Sequence, residues 1–150
     1  MKFSKWAYAL TAAALLSACD APQGHSGRDL TQPSSADGVE LYFANLEDGQ
    51  HVSSPFRVIF GLKGMGVAPA GVDHPNTGHH HLLINTTLSA EEMEFAIVKD
   101  DQHRHFGRGQ TEAVIDLPPG QHKLQLVLGD QGHEVLDPPL MSDVITVTVK

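Results

Sequence analysis

The chain keeps no long run of apolar residues at a helical spacing; its apolar side chains come in short pieces divided by turn residues. His122-Lys123-Leu124-Gln125-Leu126-Val127-Leu128 alternates with period two, and Val144-Ile145-Thr146-Val147-Thr148-Val149 is β-branched almost throughout. The same pattern predicts strands over residues 39–43, 56–62, 81–85, 94–98, 112–117, 122–128 and 144–149. Short strands at this density predict an all-β fold, a single immunoglobulin-like antiparallel β-sandwich, with a small barrel as the alternative. The Cys…Trp…Cys spacing of antibody domains is absent. Alternation selects Leu41, Phe43, Val58, Phe60, Leu83, Ile97, Ile115, Leu124, Leu126, Leu128, Ile145 and Val147 as the core. One helical turn is expected over 89–93, capped by Ser89 with Glu92 three residues on. Residues 64–78 carry no strand pattern, and so long a connection inside a compact domain points to a functional loop.

The folded domain is expected over 38–150. Residues 1–18 open with Lys2 and Lys5 and continue in an apolar run from Trp6 to Leu16. That run is shorter than the roughly 20 residues a bilayer span needs, and it reads as a signal peptide. Leu16-Ser17-Ala18-Cys19 resembles the bacterial lipobox, which implies that Cys19 becomes the lipid-bearing first residue of the mature chain. A triacylated cysteine carries more than enough lipid for stable anchoring. The expected place is therefore the bacterial cell envelope, on the periplasmic or extracytoplasmic face of a membrane. Asp20 is similar to the inner-membrane retention signal of enteric lipoproteins and favours the inner membrane. Residues 19–37 hold the lipidated Cys and a stretch rich in Pro, Gly, Ser, Gln and Asp, a composition that reads as a flexible tether.

Cys19 is the only cysteine. It leaves no intramolecular disulfide and no thiolate for a blue-copper site. The net charge is −8 with neutral histidine, and loss of Lys2 and Lys5 makes the mature chain more acidic still. Such a balance argues against a nucleic-acid partner and against direct adhesion to anionic lipid, so membrane contact falls to the lipid on Cys19.

The chemistry-bearing stretch is Gly78-His79-His80-His81-Leu82-Leu83-Ile84, read as the start of a strand. Successive side chains point to opposite faces, so His79, His81 and Leu83 share one face and His80, Leu82 and Ile84 the other. Imidazoles at i and i+2 stand about 7 Å apart at Cα, within reach of one small ion. His103-Arg104-His105 repeats the spacing. Imidazole suits Zn, Cu and Ni, and the two pairs predict a Cu or Zn site with His79, His81, His103 and His105 as ligands. Asp73, His74, His80 and Glu112 are candidates for the outer shell. The competing reading gives these histidines hydrogen bonds that fasten a long loop. Met65 and Met141 offer thioethers that would favour Cu(I), although methionine is more often a core filler.

Three longer pieces follow in order: Gly61-Leu62-Lys63-Gly64-Met65-Gly66-Val67-Ala68-Pro69-Ala70-Gly71, Pro75-Asn76-Thr77-Gly78-His79-His80-His81-Leu82-Leu83-Ile84, and His103-Arg104-His105-Phe106-Gly107-Arg108-Gly109-Gln110-Thr111-Glu112. With Gly129-Asp130 and Asp137-Pro138-Pro139-Leu140-Met141-Ser142, the chain resembles the bacterial family catalogued as domain of unknown function 4399 over about residues 39–150. The resemblance implies an exported bacterial domain and assigns no catalytic residue.

Several enzyme classes lack their motifs. Gly64-Met65-Gly66 with Gly71 has neither Rossmann nor P-loop spacing, His133-Glu134 stands without the rest of HExxH, and no nucleophile elbow occurs. A lipidated Cys19 leaves no N-terminal histidine for a copper brace. The reading leans away from an enzyme. The alternative to metal binding is a cell-envelope binding or scaffold module that recognises a cell-wall fragment, sugar or peptide through its loops, with Arg104, Phe106 and Arg108 beside the histidines.

Overall fold

The computed structural model describes residues 38–150. The expected signal peptide over 1–18, the lipid site Cys19 and the tether through residue 37 lie outside the described residues. The chain is all-β. Its strands are β1 (Glu40–Phe43), β2 (His51–Val52), β3 (Phe56–Lys63), β4 (Gly66–Val67), β5 (Thr77–Ile84), β6 (His103–His105), β7 (Glu112–Ile115), β8 (Gly120–Gly129) and β9 (Ile145–Val149). One sheet has the order β1-β3-β7; the other runs β2-β9-β8-β5-β4, with β6 also paired to β5. β8 lines one edge of β5 in antiparallel register, while β4 and β6 divide the other edge between them.

The main core takes side chains from both sheets. Leu41, Val58, Phe60 and Ile115 come from the smaller sheet, and Leu82, Ile84, Leu124, Leu126, Leu128 and Val147 from the larger. This follows from period-two alternation on β3 and β8. The far face of the larger sheet is covered as well. Leu83 and Val127 meet Ile97 and Met141 there, with Leu88, Met93 and Val135 packed around them. The connections that follow β5 and β8 supply this cover, pinned by isolated bridges from Val127 to Met141 and from Gly129 to Val135. β5 and most of β8 are consequently buried on both faces.

Three expectations need correction. Residues 94–98 form no strand: Glu92–Glu94 is a single 3₁₀ turn, and Phe95 and Val98 are exposed. The 3₁₀ turn starts from Glu91 with no side-chain cap bond, while Ser89 and Glu92 make the expected reciprocal pair, the Ser89 N–H donating to Glu92 Oε2 at 2.8 Å and the Glu92 N–H to Ser89 Oγ at 3.2 Å. Among the described residues no strand pairs with the segment after it; Ile97 anchors it, buried and bonded through its N–H to the His133 carbonyl oxygen at 2.8 Å. The connection 64–78 is not strandless, since β4 pairs parallel to the start of β5. The histidine strand also begins earlier than expected, at Thr77, because β4 and β8 pair with its first residues. Of the expected core, Phe43 is only half-buried; Val127, Leu82, Ile84, Leu140 and Val149 join it.

Candidate metal centre

Alternation along β5 sends His79 and His81 to the covered far face of the larger sheet and His80 into the main core. The register then selects their neighbours. His81 stands opposite Val127 on β8 and opposite His105 on β6, and His79 stands opposite Gly129. A Cβ on Gly129 would come within 2.7 Å of His81 Cε1, so the bare backbone leaves the His81 ring its place. Gly107, two residues beyond His105, does the same for the His105 ring, whose Cε1 and Nε2 would collide with an added Cβ.

A fourth imidazole arrives from the turn after β8. Asp130 Oδ1 accepts the N–H groups of Gly132 at 2.7 Å and Glu134 at 2.9 Å, and the Asp130 N–H donates to the Glu134 carbonyl oxygen. This reverses the chain over the end of β8, with His133 in the left-handed region at φ 71°. The His133 ring reaches back to His79, Nδ1 to Nε2 at 3.2 Å, one nitrogen donating and the other accepting.

His79, His81, His105 and His133 thus form one group whose candidate ligand atoms all lie within 4.8 Å of one another. Ring centroids are separated by 4.8 Å for His79–His81, 5.0 Å for His79–His105, 5.0 Å for His79–His133, 5.2 Å for His81–His105, 4.7 Å for His105–His133 and 6.2 Å for His81–His133. His79 and His81 are fully buried. Among the described residues, His79 Nδ1, both ring nitrogens of His81 and His105 Nε2 within this group are buried without a hydrogen-bond partner, and outside it so are His80 Nε2 and His103 Nε2. Buried polar atoms are ordinarily paired, so orphaned nitrogens on three rings of one group need an explanation.

Burial pushes the His79 ring down to about 4, with His105 and His133 acting in the same direction and Asp130 against it. Burial, then His79, His105 and His133, takes His81 down to about 3. His105 is lowered by burial, His133 and Lys99. At neutral pH these three rings are uncharged and keep a free lone pair, the state a metal ion requires.

The other sequence candidates are elsewhere. His103 shares the far face but stands opposite Leu83, two pairs further along, and its Nδ1–H donates to Asp100 Oδ1 at 2.9 Å. His80 lies in the main core, against Phe60 at 5.1 Å, with its Nδ1–H donating to the Gln110 carbonyl oxygen at 3.2 Å. Asp73 and His74 are exposed in the connection between β4 and β5, and Glu112 pairs with Arg57 on the smaller sheet. Met65 packs on the main core and Met141 beside Val127. His133 belongs to no HxH pair, so spacing does not select it; its place in the Asp130–Glu134 turn, directly after the strand facing His79, is the signal that points to it.

The model of the family described as Domain of unknown function (DUF4399) matches residues 58–150, a span that contains all four histidines. No curated protein matches the chain. Among solved structures, the endo-beta-1,4-mannanase from Thermotoga petrophila is similar at 18% identity and a TM-score of 0.42. That match covers 83% of this chain and 21% of the mannanase chain. The family match spans more than half of the sequence, and the chain belongs to the DUF4399 family.

Proposed function

We propose that this domain binds one transition-metal ion, Cu or Zn, through His79, His81, His105 and His133. The observation that carries the reading is a group of four imidazoles whose candidate ligand atoms lie within 4.8 Å of one another, three of the rings holding a buried nitrogen with no hydrogen-bond partner among the described residues. Four nitrogen ligands suit either metal. The role we assign is metal binding for delivery, sensing or sequestration, with no catalytic residue. The test is calorimetric titration of the untagged full chain in detergent with Zn(II) and with copper. Stoichiometric binding is expected, together with a rise in unfolding free energy of about 2.7 kcal/mol at a hundredfold excess over Kd. Weak, non-stoichiometric binding shared by His81→Ala would overturn the reading and favour a recognition module instead.

We also read the domain as an immunoglobulin-like β-sandwich over 38–150. The strand order supports this: β1-β3-β7 corresponds to A-B-E, and β2-β9-β8-β5-β6 to A′-G-F-C-C′. In this reading residues 1–18 direct export and lipid on Cys19 holds the chain at the envelope membrane, the inner one if Asp20 acts as a retention signal. Cys19→Ala should move the protein out of the membrane fraction. Retention equal to the wild type would exclude the anchor.

A further inference from the structure

We propose that the four-histidine site takes copper as Cu(I) in preference to Cu(II); this rests on the reading of the four histidines as metal ligands. Two independent observations support it, the shape of the site and its charge.

The shape comes first. If the four rings lay in one square, the two diagonals would clearly exceed the sides. Taking His79, His81, His105 and His133 in order around such a figure, the sides are 4.8, 5.2, 4.7 and 5.0 Å. The first diagonal, His79–His105, is 5.0 Å, within the range of the sides, and the second, His81–His133, is 6.2 Å. The six separations are near those of a tetrahedron. The cause is in the fold: β5 and β6 present three rings from one sheet face, and the turn after β8 lowers the fourth onto them, its plane at 81–89° to the others. Cu(II) prefers a square-planar or tetragonal nitrogen set. Cu(I), a d¹⁰ ion like Zn(II), has no such preference and accepts a tetrahedron.

Charge acts in the same direction. All four ligands are neutral imidazoles, and the group contains no carboxylate or thiolate. Among the described residues, the carboxylate that acts electrostatically on the ring of His79 is Asp130, which commits its Oδ1 to two backbone N–H groups and stands outside the donor set. A single carboxylate offsets a monovalent ion and leaves a divalent one with excess positive charge. Beside two fully buried rings, that excess is costly. Lys99, which acts on His105, adds to the cost.

The experiment measures both copper affinities on the untagged full chain in detergent. Cu(I) is titrated anaerobically against a bicinchoninate competitor, Cu(II) against nitrilotriacetate, and Zn(II) is titrated alongside. Cu(I) is expected to bind at least tenfold more tightly than Cu(II), which places the bound couple about 59 mV or more above the aqueous one. Equal or tighter binding of Cu(II) would overturn this inference and leave the metal reading standing. Failure of all three ions to bind stoichiometrically would overturn both.

Discussion

His81 and His105 stand directly opposite each other across the β5–β6 ladder, with ring centroids 5.2 Å apart. His103, at the other end of the same three-residue strand, stands opposite Leu83 and turns its ring to Asp100. The two histidines of one HxH pair therefore have different tasks. His133→Ala and His105→Ala should each weaken Zn(II) or Cu(I) binding by more than the roughly 10–100-fold typical of losing a supporting outer partner. His103→Ala should leave that affinity within a few-fold of the wild type. Calorimetry or chelator competition on the three variants checks this, and equal losses at 103 and 105 would contradict it.

Gly107 and Gly129 keep room for the rings of His105 and His81. Gly107→Ala should displace the His105 ring and Gly129→Ala the His81 ring, each lowering metal affinity by about 10–100-fold, the range seen when a supporting partner is lost. Neither glycine has a positive φ, so the substituted backbone is not strained by conformation. Affinity near wild type in Gly107→Ala would show that the ring has other room.

Burial lowers His79 and His80 to about 4 and His81 to about 3 in the metal-free fold, while in the unfolded chain these residues titrate near 6.5. The unfolded state thus binds more protons between those values, and stability rises with pH across that interval. The metal-free protein should hold its full stability above about pH 6.5 and lose it as pH falls toward 4 and then 3. Urea midpoints measured at about pH 7.5 and about pH 4.5 should show a clear drop. In His81→Phe the drop should be smaller.

The main core carries the stability of the fold. Leu126 is fully buried between the sheets, and Leu126→Ala should cost about 2–5 kcal/mol. Val114, on β7, is 70% exposed, and Val114→Ala should stay within about 0.5 kcal/mol of the wild type. Chemical denaturation of both variants tests the contrast.

How much of this was legible in advance depends on the range of each interaction. The β-rich pattern, the reciprocal Ser89–Glu92 pair and the core positions on β3, β8 and β9 follow from neighbours in the chain. The strand expected over 94–98 did not form: among the described residues its apolar side chains lie in a segment that pairs with no strand of either sheet. The short strands β2, β4 and β6 carry too few residues to announce themselves by period and exist because a longer partner pairs with them.

The histidines divide along the same line. Sequence alone determined that His79 and His81 share a face and that His80 takes the other, because strand alternation is a local property of the backbone. Only tertiary structure decided which imidazoles would join them. The β5–β6 register brought His105 rather than His103 beside His81. The Asp130–Glu134 turn carried His133 back over Gly129, and the connections after β5 and β8 covered the face on which His79 and His81 are fully buried. The turn itself is local, but the β5–β6 register and the β5–β8 pairing that sets this turn beside His79 join residues far apart in sequence, which no local pattern encodes.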